Sequence, residues 1–269
     1  MTYEKIIGIG GGVGPMAGVI LHQKIIENTL TNGTDQDHLE VHHFSRSSDI
    51  SDRNLFLLEG IGDNPALGLI RTAEIAKHVA DYTNKGIVFG IPCNNVHAPS
   101  IINPIKEAIL QMEPKIKFVD MIGETVSRIT TEYPEISRVG LLSTSSTRKI
   151  GTYRKTLEPL GYSLIEVEED IQEQVHDSIC NTSWGIKAQF PVTEKARENF
   201  ERFAKMLKDQ GAQAIILGCT EIPLALPQTE IYGIPLIDPM ESLALGLIRE
   251  ANPNKVKVHS KQAVIQTVK

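Results

Sequence analysis

The chain lacks a basic surplus. Its 27 lysines and arginines are outnumbered by 33 acidic residues, a net charge of −6. The basic residues are scattered rather than clustered. Phosphate contacts dominate nucleic-acid affinity, so no nucleic-acid partner is expected. Cysteine is also scarce, with 3 in 269 residues, at Cys93, Cys180 and Cys219. That suits a reducing compartment and gives no disulfide framework. No CxxC spacing is present. His42 and His43 are adjacent on an expected strand and point to opposite faces, so no metal site is expected. No apolar run approaches the ~18 residues of a membrane span. The opening MTYEKIIGIGGG has none of the parts of a secretory leader. The expectation is a cytoplasmic protein without a membrane partner.

What the chain does have is a core-forming composition: 41% hydrophobic and 22% charged residues. Short apolar runs alternate with longer amphipathic stretches. Strands are expected at 5–10, 39–45, 86–92, 116–121, 138–144, 162–168, 213–219 and 235–239. Helical patterns fill 15–31, 65–84, 100–112, 122–133, 149–160, 169–188, 193–210 and 240–251. This alternation predicts an α/β fold, with parallel sheets covered by helices on both faces.

The order also repeats. IIGIGGGVG (6–14) corresponds to RVGLLSTSS (138–146), pairing Gly8 with Gly140. Cys93 and Cys219 each end an apolar strand, and FVDMIGE (118–124) corresponds to LIDPMES (236–242), pairing Asp120 with Asp238. The competing reading is that any two α/β units look alike. Residues 252–269 fit either an edge strand or a loose tail.

The loop GIGGGVGPMAG (8–18) fits a dinucleotide fingerprint at Gly12, Gly14 and Ala17. Pro15 interrupts it, and no carboxylate ends the second strand, where Asp49 lies several residues too late. NAD binding is therefore disfavoured. The loop still offers bare backbone N–H groups near a helix start, which attract anions.

Cys93 lies in GIPCNNVHAP (90–99) and Cys219 in IILGCTEIP (215–223), each beyond the C-terminal end of an expected strand. Open α/β sheets bind ligands there. Two thiols at matching points of two similar halves would face each other across one ligand. Proton transfer at a stereocentre wants this: one thiolate removes a proton from one face, and the opposite thiol returns one to the other. A thiol, with a pKa near ~8.5, can serve in either state. Taken singly, each cysteine would be read as a small buried hydrophobe, and Cys180 is read that way. Thr220 and Glu221 follow Cys219 as Asn94 and Asn95 follow Cys93; they can hydrogen-bond substrate or orient the thiol. His97 can assist Cys93 or cap structure.

At these residues the chain resembles the aspartate/glutamate racemase family. GGVGPMAG (11–18) resembles its glycine motif, with Gly18 in place of the usual Thr; ISDR (50–53) is similar to its Pro-Asp-Arg element. PCNNVH (92–97) resembles Pro-Cys-Asn-Thr-x-His, with Asn95 for the Thr. STSST (143–147), WGIKA (184–188) and GCTEIPL (218–224) resemble its Thr-rich turn, lysine motif and second cysteine motif.

The resemblance implies two Rossmann-like parallel-sheet domains related by a pseudo-twofold, with the active site in the interdomain cleft. Residues 1–120 plus 232–269 would form the first domain and 121–231 the second, the C-terminal segment crossing back. It further implies a cofactor-independent isomerase racemising aspartate or glutamate, and a homodimer. Cys93 and Cys219 would transfer protons, and Arg53 and Lys187 would hold the substrate carboxylates. Asn94, Asn95 and Thr220 would bind substrate, with His97, Glu221, Gly12 and Thr144 as auxiliary residues. The alternatives are a maleate isomerase or an arylmalonate decarboxylase of the same superfamily, or an amino-acid-binding protein without turnover.

Overall fold

A computed structural model describes residues 5–257. The first sheet contains β1 (Lys5–Gly11), β2 (Val41–Ser45), β3 (Gly86–Gly90) and β4 (Ile116–Val119). All are parallel, in the order β2-β1-β3-β4. The second holds β5 (Arg138–Ser143), β6 (Ser163–Glu166), β7 (Ala214–Gly218), β8 (Glu230–Ile231) and β9 (Ile234–Ile237). Its order is β6-β5-β7-β9-β8, with only the short β8 antiparallel. Setting β8 aside, the two sheets have the same strand order. The repeat seen in the sequence is thus a repeat of topology, and β3 and β7 hold the same place in it.

The central strands are buried on both faces, which explains their continuous apolar runs. Helices α1 (Pro15–Asn28), α2 (Ala66–Thr83), α3 (Pro99–Leu110) and α4 (Met121–Glu132) follow the first-sheet strands. Then come α5 (Ser145–Ile150), α6 (Thr152–Leu157), α7 (Glu169–Cys180), α8 (Glu194–Asp209) and α9 (Pro239–Ala251). The paired aspartates share a role as helix caps. Asp120 caps α4 by accepting from the N–H groups of Ile122 and Gly123, and Asp238 caps α9 by accepting from Met240 N–H. Each cap satisfies donors that a helix start leaves open.

One apolar cluster joins the halves, running from Ile7 and Val88 of the first sheet through Ile122, Ile129, Leu243 and Leu247 to Val139 and Ile216 of the second. Each sheet has a further cluster on its other face. Helix α9 packs on α1 and α4. Before it, β9 pairs with β7 in the second sheet.

Two helix expectations need correction. The pattern at 149–160 starts earlier, at Ser145, and breaks at Gly151, whose φ of 71° separates α5 from α6. The pattern at 169–188 overruns: α7 ends at Cys180 and the following residues turn back. At the C-terminus, Pro253–Lys255 form a 3₁₀ turn and Val256 bridges to Thr29. The rest of the expected tail, 258–269, lies outside the described residues.

Candidate active site

The two cysteines leave their sheets in the same way. Cys93 lies just past β3 and is followed by a 3₁₀ turn at Asn95–His97; Cys219 lies directly past β7 and is followed by one at Ile222–Leu224. Both are buried, at 8% and 5% exposure. They pack against different apolar clusters, Cys93 on the first half and Cys219 on the second. Both nevertheless line one cavity, together with Asn94, Asn95, Thr144, Lys187, Thr220 and Glu221. A water-sized sphere has only about 10 Å³ of room there, too little for an amino acid. The walls must separate before a substrate enters.

Lys187 arrives by the turn that ends α7. The Asn181 side chain accepts from the N–H groups of Ser183 and Trp184, and the N–H groups of Ile186 and Lys187 bond back to the carbonyls of Ser178 and Ile179. Gly185 permits this fold-back, since a Cβ there would lie 2.7 Å from the Asn181 carbonyl oxygen.

Glu221 gathers the second half of the site. Its Oε2 accepts from the Cys219 thiol at 3.1 Å and the Thr220 hydroxyl at 3.0 Å, and lies 3.9 Å from Lys187 Nζ. Burial pushes the Cys219 thiol well above its ordinary pKa, and the Glu221 charge adds to it; Lys187 opposes. Burial works against the Lys187 ammonium. Attraction to its acidic neighbours, Glu221 foremost, outweighs it and raises the Lys187 pKa. The glycine loop serves the same carboxylate: a Cβ on Gly14 would lie 2.3 Å from Glu221 Oε1.

Around Cys93 the arrangement differs. His97 Nδ1 bonds the Cys93 carbonyl at 2.8 Å, and its Nε2 accepts from Met121 N–H at 3.3 Å. Those partners place the proton on Nδ1 and leave the ring neutral. Burial lowers its pKa in the same sense. His97 therefore clamps the Cys93 backbone to the start of α4, and it does not line the cavity.

Asn94 Oδ1 accepts from the Tyr153 hydroxyl at 2.7 Å. Both ends of the Asn95 amide are engaged by the protein. Its Oδ1 accepts from the hydroxyls of Thr144 (3.1 Å), Ser146 (3.0 Å) and Thr147 (2.6 Å), and its Nδ2 donates to Asn54 Oδ1 at 2.8 Å. This network ties the first half to the β5–α5 turn of the second.

Arg53 does not line the cavity. Its Nη2 donates to the carbonyl of Val13, which does. Its Nε is buried without a hydrogen-bond partner among the described residues. Gly12 is likewise off the wall; it holds φ +86°, and a Cβ there would meet the Arg46 and Ser47 backbone nitrogens at 2.6 Å.

Sequence reasoning missed Asn54, Ser146, Thr147, Tyr153 and the placement of Cys180. The Cys180 sulfur is 3.8 Å from Asn54 Nδ2, close enough to Lys187 and Glu221 to feel both charges. The run STSST was the one signal for the hydroxyl cluster. Among the described residues no cluster of three or more metal-binding side chains occurs, and no helix is long and apolar enough to cross a membrane.

Comparison with known proteins agrees with this architecture. The aspartate racemase of Picrophilus torridus superposes with a TM-score of 0.75 at 25% identity, covering 97% of this chain and 98% of that one. The glutamate racemase of Francisella tularensis, solved with D-glutamate, gives 0.58 at 19% identity, covering 96% and 85%, a likeness of fold. In sequence, a glutamate racemase of Limosilactobacillus reuteri is 28% identical over 166 residues, 60% of this chain. The chain spans about half the length of that relative, 54%. A model of the Asp/Glu/Hydantoin racemase family matches residues 11–245. The chain belongs to the Asp/Glu/Hydantoin racemase family.

Proposed function

We propose that this protein is a cofactor-independent amino-acid racemase acting on aspartate or glutamate by two-base proton transfer at Cα. The observation that carries the reading is that Cys93 and Cys219, from the same place in two like sheets, line one cavity. The site would then lie between the halves. One thiolate takes the Cα proton and forms a thiol, while the opposite thiol gives its proton to the other face and becomes a thiolate. Reaction in the reverse direction exchanges the two roles. Two groups of one type in nearly equivalent settings suit a reaction whose product is the mirror image of its substrate.

The settings are not identical. Cys219 is held as a thiol with its S–H directed at Glu221. It therefore carries the proton that a donor to the substrate carbon needs. To act as base it must first lose that proton, and Glu221 is the acceptor in reach. Lys187 supplies the compensating positive charge. Lys187, which lines the cavity, would hold a substrate carboxylate, while Arg53 acts from behind the wall through the Val13 carbonyl. Neutralising the α-carboxylate eases loss of the Cα proton, since charge builds there in the transition state.

Proton NMR in heavy water with L-aspartate and L-glutamate tests the reading. The expected result is loss of the α-proton signal with appearance of the enantiomer. Absence of exchange with either would sink it and favour a binding protein without turnover.

A further inference from the structure

Asn94 stands out among the cavity residues. It is only 3% exposed, and its Nδ2 is buried with no hydrogen-bond partner among the described residues. A fold seldom leaves such a donor unmatched without a use for it. The side-chain amide has two orientations related by a half-turn. One presents a carbonyl oxygen to the cavity, the other two N–H groups.

What selects between them comes from the opposite half. Tyr153 is on α6, fully buried, with its hydroxyl 2.7 Å from Asn94 Oδ1. Burial keeps the phenol protonated at any physiological pH. The hydroxyl donates to Oδ1, which turns the Asn94 N–H groups away from it. Asn95, the next residue, already donates to Asn54 through Nδ2 and accepts from the hydroxyl cluster through Oδ1.

We infer that Tyr153 is a positioning residue: by donating to Asn94 Oδ1 it fixes the amide so that Nδ2–H serves as donor to a substrate carboxylate oxygen. This rests on the racemase reading and goes further. It assigns Asn94 the α-carboxylate rather than the α-ammonium, since an N–H group cannot accept from a cation. As the Cα proton leaves, negative charge spreads into the α-carboxylate. A donor fixed in advance gains strength at that moment, so its loss falls on kcat more than on KM.

The test is a double-mutant cycle of Tyr153→Phe and Asn94→Ala, read on deuterium exchange at Cα of L-aspartate. Tyr153→Phe is expected to lower kcat ~10-fold or more while KM changes less than ~threefold. In the Asn94→Ala background it should have no further effect, because it acts through Asn94. Wild-type kcat in Tyr153→Phe, multiplicative losses in the double variant, or a loss accounted for by a smaller folded fraction would each overturn the inference. Should wild-type protein exchange no amino acid, the racemase reading fails separately. The cycle is then read on succinate affinity by calorimetry. Non-additive weakening upholds the assignment; additive weakening, or no succinate binding, overturns it.

Discussion

Cys219 and Glu221 share a buried hydrogen bond, thiol to carboxylate, across 3.1 Å. A thiol facing a buried carboxylate is held protonated, and a carboxylate facing it is the natural acceptor when the proton must leave. No equivalent carboxylate follows Cys93, where Asn95 occupies the matching position. The two proton-transfer candidates thus have like positions and unlike electrostatics.

Glu221→Gln keeps the size and removes the charge. The Cys219 pKa, raised by burial and then by this carboxylate, should fall. The pH of half-maximal activity in the direction that uses Cys219 as base is expected to move down. Rate profiles against pH, taken from each enantiomer separately, check this; two unchanged profiles would uncouple Glu221 from the thiol.

Cys93→Ser and Cys219→Ser should each cut racemisation by ~10²–10⁴, the usual range for losing a positioned acid or base. Ligand affinity, measured by calorimetry, should be largely kept. Full activity in either variant would rule out the two-base scheme.

Asn95→Ala removes the amide that bridges Asn54 to Thr144, Ser146 and Thr147. It leaves buried hydroxyls short of an acceptor, at a cost of about 1–3 kcal/mol. Denaturant unfolding should show that loss. Amide hydrogen exchange at residues 144–147 should quicken, because the halves lose a tie. Unchanged exchange would mean that the network does not hold the cavity shut.

His97 gives a pH dependence of stability. Burial lowers its pKa, so the fold keeps it neutral. Below ~6.5 the unfolded chain takes up a proton that the folded chain refuses. Stability from this residue is therefore full above the ordinary histidine range and is lost as pH falls through it. Urea unfolding across that range should show the decline, and His97→Gln should flatten it while costing about 1–3 kcal/mol at neutral pH.

Much of the fold was legible because its signals are local. Apolar runs marked the central parallel strands, since strands buried on both faces need no polar residues. The aspartates opening α4 and α9 were visible as a repeated pair. The helix expected to run to residue 188 failed for a local reason too: Asn181 and Gly185 build a turn whose apolar spacing imitates helix. The two-residue β8 is too short to leave a pattern. Cys93, Cys219, Lys187 and Glu221, named from motif and position, line one cavity. Tyr153 was not, because a tyrosine on an amphipathic helix reads as ordinary core.

The sequence by itself determined the α/β repeat, the place of each thiol past its strand, and the residue types gathered around them, because strand period, helix capping and strand-end position are set by neighbours along the chain. The tertiary structure alone decided how side chains from different elements pair. It spent Asn95 on the opposite half, left Asn94 Nδ2 free, kept Arg53 behind Val13, and turned the Cys219 thiol toward Glu221. Those outcomes depend on distances between segments far apart in sequence, and no local pattern encodes them.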